Sequence, residues 1–137
     1  MVGGIPHYEL TREYGERSVR FVAELAAEHG LRVDIHCDET DDDHSRFLEV
    51  LAAETIRLGL GGRVTASHTT AMHSYHAAYA YRLIRNVHRA DLHMMTNPLD
   101  NSVLQGRFDG YPIRRGHTRV KELIAAGVNE PPSFETP

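Results

Sequence analysis

The sequence lacks long apolar runs, clusters of basic residues and all but one cysteine. Its longest uninterrupted apolar runs are only a few residues, far short of the ~20 that cross a bilayer, and no charged-then-apolar start marks a signal peptide. A net charge of −4 without a clustered Lys/Arg stretch gives no electrostatic footprint for nucleic acid. The single Cys37 excludes an internal disulfide and agrees with a reducing compartment. These absences predict a cytoplasmic protein with neither a nucleic-acid nor a membrane partner.

What is present is an ordinary globular composition with an excess of histidine. The 137 residues have the length of one domain, and 41% of them are hydrophobic and 25% charged, as in soluble globular proteins. Ten histidines are unusual for this length and suggest metal binding or acid–base chemistry. The count alone does not say which histidines matter.

Apolar periodicity and glycine breakers predict alternating helices and short buried strands. Helices are predicted over residues 11–28, from the end of the acidic loop 38–43 to Gly59, over 74–88 and over 119–126, and strands over 31–36, 63–67 and 92–96. Thr118 is predicted to cap the last helix, and the apolar positions of the first three helices include Phe21, Ile56 and Tyr81. The stretch 97–116 between the last strand and the last helix is predicted to be irregular. The strand starts are spaced by the roughly 30 residues of a βα repeat, which predicts an α/β fold with parallel strands.

Two architectures fit this alternation: a doubly wound sheet and a piece of a (β/α)8 TIM-like barrel. No G-x-G-x-x-G turn occurs, which removes the usual dinucleotide-binding version of the first. Residues 2–6 resemble the end of a strand and its loop, and residues 130–137 are predicted to be an irregular, proline-containing tail. We therefore expect one barrel-like domain over residues 1–129 that looks cut at both ends.

Candidate catalytic groups lie where two of the predicted strands end. His36 closes one strand and His68 closes the next, and in a parallel α/β fold the carboxyl ends of strands converge on one face. Glu39 follows His36 by three residues, a position from which a carboxylate can reach a group bound beside it. The competing interpretation makes Glu39 an acid near a helix N-terminus, stabilised by the helix dipole.

Four segments closely resemble bacterial cytosine deaminases of the amidohydrolase superfamily. They are His36–Glu39 (HCDE), 67–73 (SHTTAMH), 97–99 (NPL) and 104–109 (LQGRFD), and the similarity runs over nearly the whole chain. The resemblance implies a TIM-like barrel of which this chain forms about strands 5 to 7 with their helices. It also implies one divalent metal, Fe2+ or Zn2+, and a pyrimidine or related cyclic amine as the substrate.

The resemblance assigns a different role to each of the three groups at the strand ends. His36 would be the metal ligand from the fifth strand. Glu39 would be the proton shuttle, protonating the ring nitrogen and passing the proton to departing ammonia. His68, on the sixth strand, would orient the metal-bound hydroxide that attacks the ring carbon, so that cytosine becomes uracil and ammonia.

The same resemblance shows which parts of such a site this chain does not contain. The family's H-x-H pair, its substrate-reading glutamine and the aspartate of its eighth strand all fall outside the sequence, and Glu135 does not replace that aspartate. Because catalytic zinc sites use about three protein ligands plus water, we expect the chain alone to be inactive. The complete protein is expected to be a homo-oligomer. The partial barrel of this chain would leave parallel strand edges unpaired unless another copy or another chain covers them.

Three further residues are candidates for contact with substrate or with the groups around the metal. His7 follows a proline at a predicted strand-end loop, and His73 lies at the start of the predicted helix 74–88. Asn97 ends the third predicted strand, where it either touches a ligand or forms a turn with the following proline. Each also has a structural interpretation, as a turn residue or an exposed helix residue.

Other reactive or charged residues are expected to be structural. Cys37 has neither a second cysteine nor a Cys-His-Asn arrangement to support reactivity, so buried packing is expected. Arg107, Arg114 and Arg115 are expected to anchor loops, because a neutral pyrimidine offers no anion for them to hold.

Two alternative functions remain open from the sequence. One is an amidohydrolase acting on another cyclic amine or amide, such as an aminotriazine or a creatinine-like ring. The other is a non-catalytic remnant or interaction module that keeps the pattern of the fold without turnover. The missing ligands make the second a serious alternative for the isolated polypeptide.

Overall fold

The protein, described here from a computed structural model that covers residues 1–114 and 116–129, is built around one parallel sheet. Its four strands are β1 (Val2–Gly4), β2 (Val33–Cys37), β3 (Val64–His68) and β4 (His93–Met95), and their order in the sheet is their order in the chain. Every neighbouring pair is parallel. The predicted α/β class with parallel strands is therefore confirmed.

Helices connect the strands and pack side by side along the sheet. They are α1 (Arg12–His29), α2 (Phe47–Leu58), α3 (Ala77–Arg89), α4 (Pro98–Leu104) and α5 (Val120–Ala125), with short 3-10 helices at Pro6–Tyr8 and Thr70–Ser74. α1 packs on α2, and α2 packs on α3. Because βαβ crossovers are right-handed, a strand order that never reverses places these helices on one face of the sheet. Of the two architectures, the barrel section fits and the doubly wound sheet does not.

The core lies between that face of the sheet and the helices. Its largest fully buried side chains include Ile35 of β2, Leu48 and Leu51 of α2, and Leu83 of α3. The β2 residues whose side chains alternate with these, at positions 34 and 36, are only partly covered. Cys37 is fully buried, as expected, and burial raises the pKa of its thiol.

Most predicted boundaries agree with the structure because local signals mark them. Thr11 caps α1 by accepting a hydrogen bond from the backbone N–H of Tyr14. Gly30 and Gly59 end α1 and α2 with φ values of 64° and 63°, a left-handed conformation that glycine adopts without a steric penalty. All three predicted strands lie within two residues of their observed positions.

Three predictions about local structure are wrong. The helix predicted from residue 74 begins at Ala77, because Thr70–Ser74 forms a 3-10 helix and Tyr75 is extended. The stretch predicted as irregular contains α4, which the proline at its first position initiates rather than blocks. Thr118 does not cap α5 with its side chain; its hydroxyl donates instead to the backbone carbonyl of His68.

Three side chains predicted to be apolar helix positions face solvent. Phe21 of α1 is 65% exposed, Ile56 of α2 is 41% exposed and Tyr81 of α3 is 64% exposed. The predicted tail, residues 130–137, lies outside the described residues. Among the residues that the structure describes, none of the helices combines the length and the apolar character needed to span a membrane.

A glycine within α1 marks the closest approach between the first helix and its neighbours. A Cβ atom on Gly15 would lie 2.5 Å from the Phe47 ring and 2.6 Å from the carbonyl oxygen of Pro6. Alanine normally stabilises a helix interior by about 1 kcal/mol relative to glycine. Here we expect Gly15→Ala to lower the free energy of unfolding by about 1–3 kcal/mol, because the added methyl overpacks the contact. Urea unfolding followed by circular dichroism measures the change.

The matched control is Arg17→Ala, which lies on the exposed side of the same helix. It should change the free energy of unfolding by no more than about 0.5 kcal/mol. A gain in stability from Gly15→Ala would contradict the described packing of α1.

Candidate active site

The carboxyl ends of β2 and β3 bring two histidines together. In the register of these parallel strands, His36 aligns with Ser67, and Cys37 aligns with His68. The imidazole ring centroids of His36 and His68 are 4.8 Å apart and their planes are inclined by 37°. The structure thus places the two predicted strand-end histidines side by side.

A local distortion of the backbone makes this approach possible. Regular strand alternation would turn the His68 side chain to the same face as Cys37, away from His36. Instead, His68 and Thr69 have φ values of 71° and 49°, in the left-handed region that few non-glycine residues occupy. The Thr69 N–H donates to the Cys37 carbonyl over 2.9 Å, which holds the turn against β2. The His68 ring can therefore reach the His36 side of the sheet.

Glu39 lies between the two imidazoles and faces one with each oxygen. Its Oε2 is 3.0 Å from Nδ1 of His36, and its Oε1 is 3.4 Å from Nδ1 of His68. The side chains of His36, Glu39 and His68 are 49%, 21% and 5% exposed. The cluster is therefore open at His36 and closed behind His68.

The three groups of this cluster fit a divalent cation. One ligand atom from each of His36, Glu39 and His68 lies within 4.8 Å of the others. Imidazole nitrogen and carboxylate oxygen are ligands that zinc and ferrous iron accept. Because Glu39 engages Nδ1 of His36, Nε2 of that ring stays available, in the pattern seen where a carboxylate orients a metal-binding histidine.

Asp38 follows β2, lies between His36 and Glu39 in the sequence, and is a fully buried carboxylate with many donors around it. Its oxygens accept hydrogen bonds from Ser45 Oγ (2.7 Å), Phe47 N (2.9 Å), Leu48 N (3.0 Å) and Tyr75 Oη (3.2 Å). Two of these donors are backbone groups of the first turn of α2, where the helix dipole also favours a negative charge. The donors offset the high cost of removing a carboxylate from water.

The same residue fixes the turn that separates His36 from Glu39. Asp38 has a φ of 51°, again left-handed, and its carbonyl accepts the Ala71 N–H over 3.0 Å. The turn is therefore tied to α2 through the Asp38 side chain and to the loop after β3 through the Asp38 backbone. This arrangement lets His36 and Glu39 meet on one side of the chain.

Two of the three further candidates, His7 and Asn97, lie beside the cluster. The Asn97 amide nitrogen is 3.1 Å from Nε2 of His68. Within the described part of the chain, neither buried ring nitrogen of His7 has a hydrogen-bond partner. Burial lowers the pKa of His7, and the nearby carboxylates of Asp38 and Glu39 offset part of that shift. His7 and Asn97 thus border the His36–Glu39–His68 cluster.

His73 lies apart from the cluster, against the loop that precedes α5. It belongs to the 3-10 helix, and its ring packs so closely on Gly116 that a Cβ there would lie 2.9 Å from the His73 Cβ. Burial and the neighbouring charge of Arg114 lower the pKa of His73. The structure does not bring this candidate to the other site residues.

The loop before α5 is anchored by arginine, as the sequence predicts. Arg114 donates to both carboxylate oxygens of Asp109, over 2.7 and 2.8 Å, and to the carbonyl of Asp41 over 3.0 Å. These hydrogen bonds lower the pKa of the Asp109 carboxyl. The guanidinium of Arg107 lies over the adjacent Phe108 ring. Arg115, predicted to play the same part, lies outside the described residues.

Two residues of the site were not found from the sequence. In the sequence Asp38 is one of several acids of the loop 38–43, and the backbone groups that it binds are nine and ten residues away. Asn101 contacts His68 from α4, a helix that was not predicted. The spacing of Asn97 and Asn101, one helical turn, was the available signal.

Comparisons with known proteins show consistent relationships. The model of the amidohydrolase family matches residues 1–131. A pterin deaminase from Rhizobium rhizogenes is 38% identical over 104 residues, which are 75% of this chain and 24% of that protein.

Solved structures show the same relationship in three dimensions. The 5-methylcytosine deaminase from Klebsiella pneumoniae, liganded with 5-fluorocytosine, superposes with a TM-score of 0.90 at 54% identity, over 93% of this chain and 31% of that one. An N-isopropylammelide isopropylaminohydrolase from Burkholderia multivorans shares the fold, with a TM-score of 0.69 at 19% identity over 93% of this chain and 29% of that one. The chain thus spans about a quarter to a third of the length of these relatives.

The role of Asp38 in holding the site can be tested by a single substitution. Asp38→Asn would place an amide nitrogen against backbone N–H donors of α2. We expect the free energy of unfolding to fall by about 2–4 kcal/mol, since a buried hydrogen-bonded charge loses its matched partners. Urea unfolding of the chain measures the loss.

Asp42→Asn is the control, because Asp42 is exposed and its side chain accepts one hydrogen bond, from the His44 N–H. That variant should lose no more than about 1 kcal/mol. Equal losses in the free energy of unfolding from Asp38→Asn and Asp42→Asn would show that the buried hydrogen bonds of Asp38 contribute no more than the exposed one of Asp42.

Proposed function

Because the chain belongs to the amidohydrolase family, we propose that it forms part of the active site of a metal-dependent deaminase that acts on a cytosine-type ring. Its relatives are deaminases, which are hydrolases of C–N bonds. The observation that carries the proposal is the convergence of His36, Glu39 and His68 at the carboxyl edge of a parallel sheet. The 54% identity to a 5-methylcytosine deaminase favours a pyrimidine.

In this proposal the sheet is one section of an eight-stranded barrel. β2, β3 and β4 correspond to strands 5, 6 and 7, and β1 to the strand before them. Residues 1–129 act as one barrel section. The loops after these strands then lie at the carboxyl face, where TIM barrels carry their catalytic groups.

Deaminases of this family use a divalent metal, and His36 is the residue of this chain proposed to bind it. The hydrogen bond from Nδ1 of His36 to Glu39 keeps Nε2 free for the metal. A bound divalent metal, iron or zinc, lowers the pKa of water so that a nucleophile forms near neutral pH.

Glu39 is proposed to carry the proton. Its carboxylate is 21% exposed and stands between the two imidazoles, so it can take a proton from water on one side and give it to a ring nitrogen on the other. The proton then passes to the departing amine, which leaves as ammonia. The reaction consumes one water, whose oxygen becomes the ring carbonyl in place of the exocyclic amine.

His68 is proposed to orient the attacking water, and Asn97 and His7 to border the bound ring. His68 is almost completely buried and its ring lies against the amide nitrogen of Asn97, so its position is fixed before the substrate arrives. The unpartnered nitrogens of His7 are suited to hydrogen bonding with a polar heterocycle. A role for His73 in substrate binding has no geometric support, since it lies apart from these groups.

A second substrate class is favoured by a specific finding. The pterin deaminase relative shares 38% identity over three quarters of this chain, and pterin carries an amino-substituted ring fused to a second one. We therefore keep pterin as the alternative substrate. The aminotriazine alternative has support at the level of the fold alone.

The test uses a hybrid enzyme in which residues 1–129 of this chain replace the matching segment of the Klebsiella deaminase. We expect the hybrid, loaded with zinc or iron, to release ammonia from cytosine or 5-methylcytosine faster than from pterin. Glu39→Gln should lower kcat by about 10²–10⁴-fold while metal content is unchanged, because it removes the proton shuttle. His36→Ala should reduce the metal content itself.

The isolated 137-residue chain is the control and should release no ammonia. An active Glu39→Gln hybrid would disprove the assigned role of the carboxylate. A His36→Ala hybrid with full metal content would disprove the ligand assignment. A hybrid that prefers pterin would support the alternative substrate.

A further inference from the structure

A fully buried amide lies directly behind the catalytic cluster. Asn101 of α4 has no exposed surface. Its Oδ1 is 3.1 Å from Nδ1 of His68, and its Nδ2 is 3.5 Å from the hydroxyl oxygen of Thr118. A buried amide is costly unless both of its ends find partners. The directions of its hydrogen bonds therefore show which of its neighbours donate a proton and which accept one.

Thr118 fixes the orientation of that amide. The hydroxyl of Thr118 donates its one proton to the backbone carbonyl of His68, and a carbonyl can only accept. The oxygen of Thr118 is then left as an acceptor, so the Asn101 group facing it must be the NH2. The Asn101 oxygen consequently faces His68, and Nδ1 of that ring must carry a proton.

A second acceptor beside the same nitrogen gives the same answer. Oε1 of Glu39 is 3.4 Å from Nδ1 of His68. A carboxylate oxygen accepts and does not donate, so it too is matched by a proton on Nδ1. The amide nitrogen of Asn97 lies 3.1 Å from Nε2 and 3.4 Å from Nδ1, so it does not distinguish the two tautomers. Asn101 and Glu39 thus both favour a proton on Nδ1.

We propose that Asn101 is a positioning residue that holds His68 in the Nδ1–H tautomer, so that Nε2 of the neutral ring is a hydrogen-bond acceptor. The inference rests on the proposed function, since His68 matters for turnover only if the cluster is catalytic. Asn101 acts through His68, because it is fully buried and does not border the site.

The tautomer decides how His68 can orient water. In the Nδ1–H form, Nε2 can accept one O–H of a water molecule, which leaves the oxygen lone pairs of that water free to attack the substrate ring. The opposite tautomer would donate to the water oxygen and occupy a lone pair needed for attack. The hydrogen bonds from Thr118 through Asn101 to His68 thus support the reactive orientation of the water.

The first test reads the tautomer by NMR, with histidine labelled with 13C and 15N, on both the chain and the hybrid enzyme in its zinc form. The 15N shifts of His68, assigned from a His68→Gln sample, should show a protonated Nδ1 and an unprotonated Nε2. A protonated Nε2 with an unprotonated Nδ1 would overturn the proposal whatever the activity. This readout needs only the unsubstituted protein, so it does not depend on a variant that folds.

The second test compares near-isosteric substitutions at position 101 in the hybrid. Asn101→Leu removes the acceptor and should lower kcat at least 10-fold, with KM and metal content unchanged. Asn101→Asp keeps an oxygen toward Nδ1 and should recover most of the lost kcat together with the Nδ1–H signal.

The control is Thr55→Val, which removes another buried polar group, one that donates to the Leu51 carbonyl within α2. It should leave kcat and the His68 signals unchanged. If Asn101→Leu behaves like this control, Asn101 is merely structural and the proposal fails. If every hybrid is inactive while His68 still shows the Nδ1–H form that Asn101→Leu abolishes, the proposed function fails and the tautomer assignment stands.

Discussion

The site depends on the buried carboxylate of Asp38. A charge without exposed surface is tolerated only where donors replace water, and here two backbone N–H groups of α2, a serine and a tyrosine do so. Each of these donors belongs to a different part of the chain from β2. The carboxylate therefore ties the end of β2 to the start of α2 and to the segment before α3. His36 and Glu39 precede and follow the Cys37–Asp38 pair, so the hydrogen bonds that hold Asp38 also set their positions.

A separate set of contacts holds His68. Its ring lies beside Glu39, which the hydrogen bonds of Asp38 position. The left-handed backbone of His68, the Thr118 hydroxyl on its carbonyl and the amides of Asn97 and Asn101 fix the ring. The result is a gradient of exposure, from the open His36 to the enclosed His68. Preorganisation of this kind is what electrostatic catalysis requires, since groups that are already placed cost nothing to reorganise during the reaction.

Local sequence signals predicted the helices and strands, and the residues at the strand ends predicted the His36–Glu39–His68 cluster. Thr11, Gly30 and Gly59 mark helix ends by conformational preferences that depend on a few neighbouring residues. Such signals do not encode contacts between distant positions. The partners of Asp38 lie up to 37 residues away, and Asn101 reaches His68 across 33 residues. The proline that suggested a turn instead begins α4 and so carries Asn101 to the site.

The central claim is that His36 binds the metal while Glu39 stays free to move protons. A crystal structure of the zinc-loaded hybrid enzyme tests it most directly. The account predicts a nitrogen of His36 at about 2.0–2.1 Å from zinc, with the Glu39 carboxylate unbonded to the metal and within about 2.6–3.2 Å of a bound ring or water. Zinc bound by Glu39, with His36 turned away from it, would contradict the account.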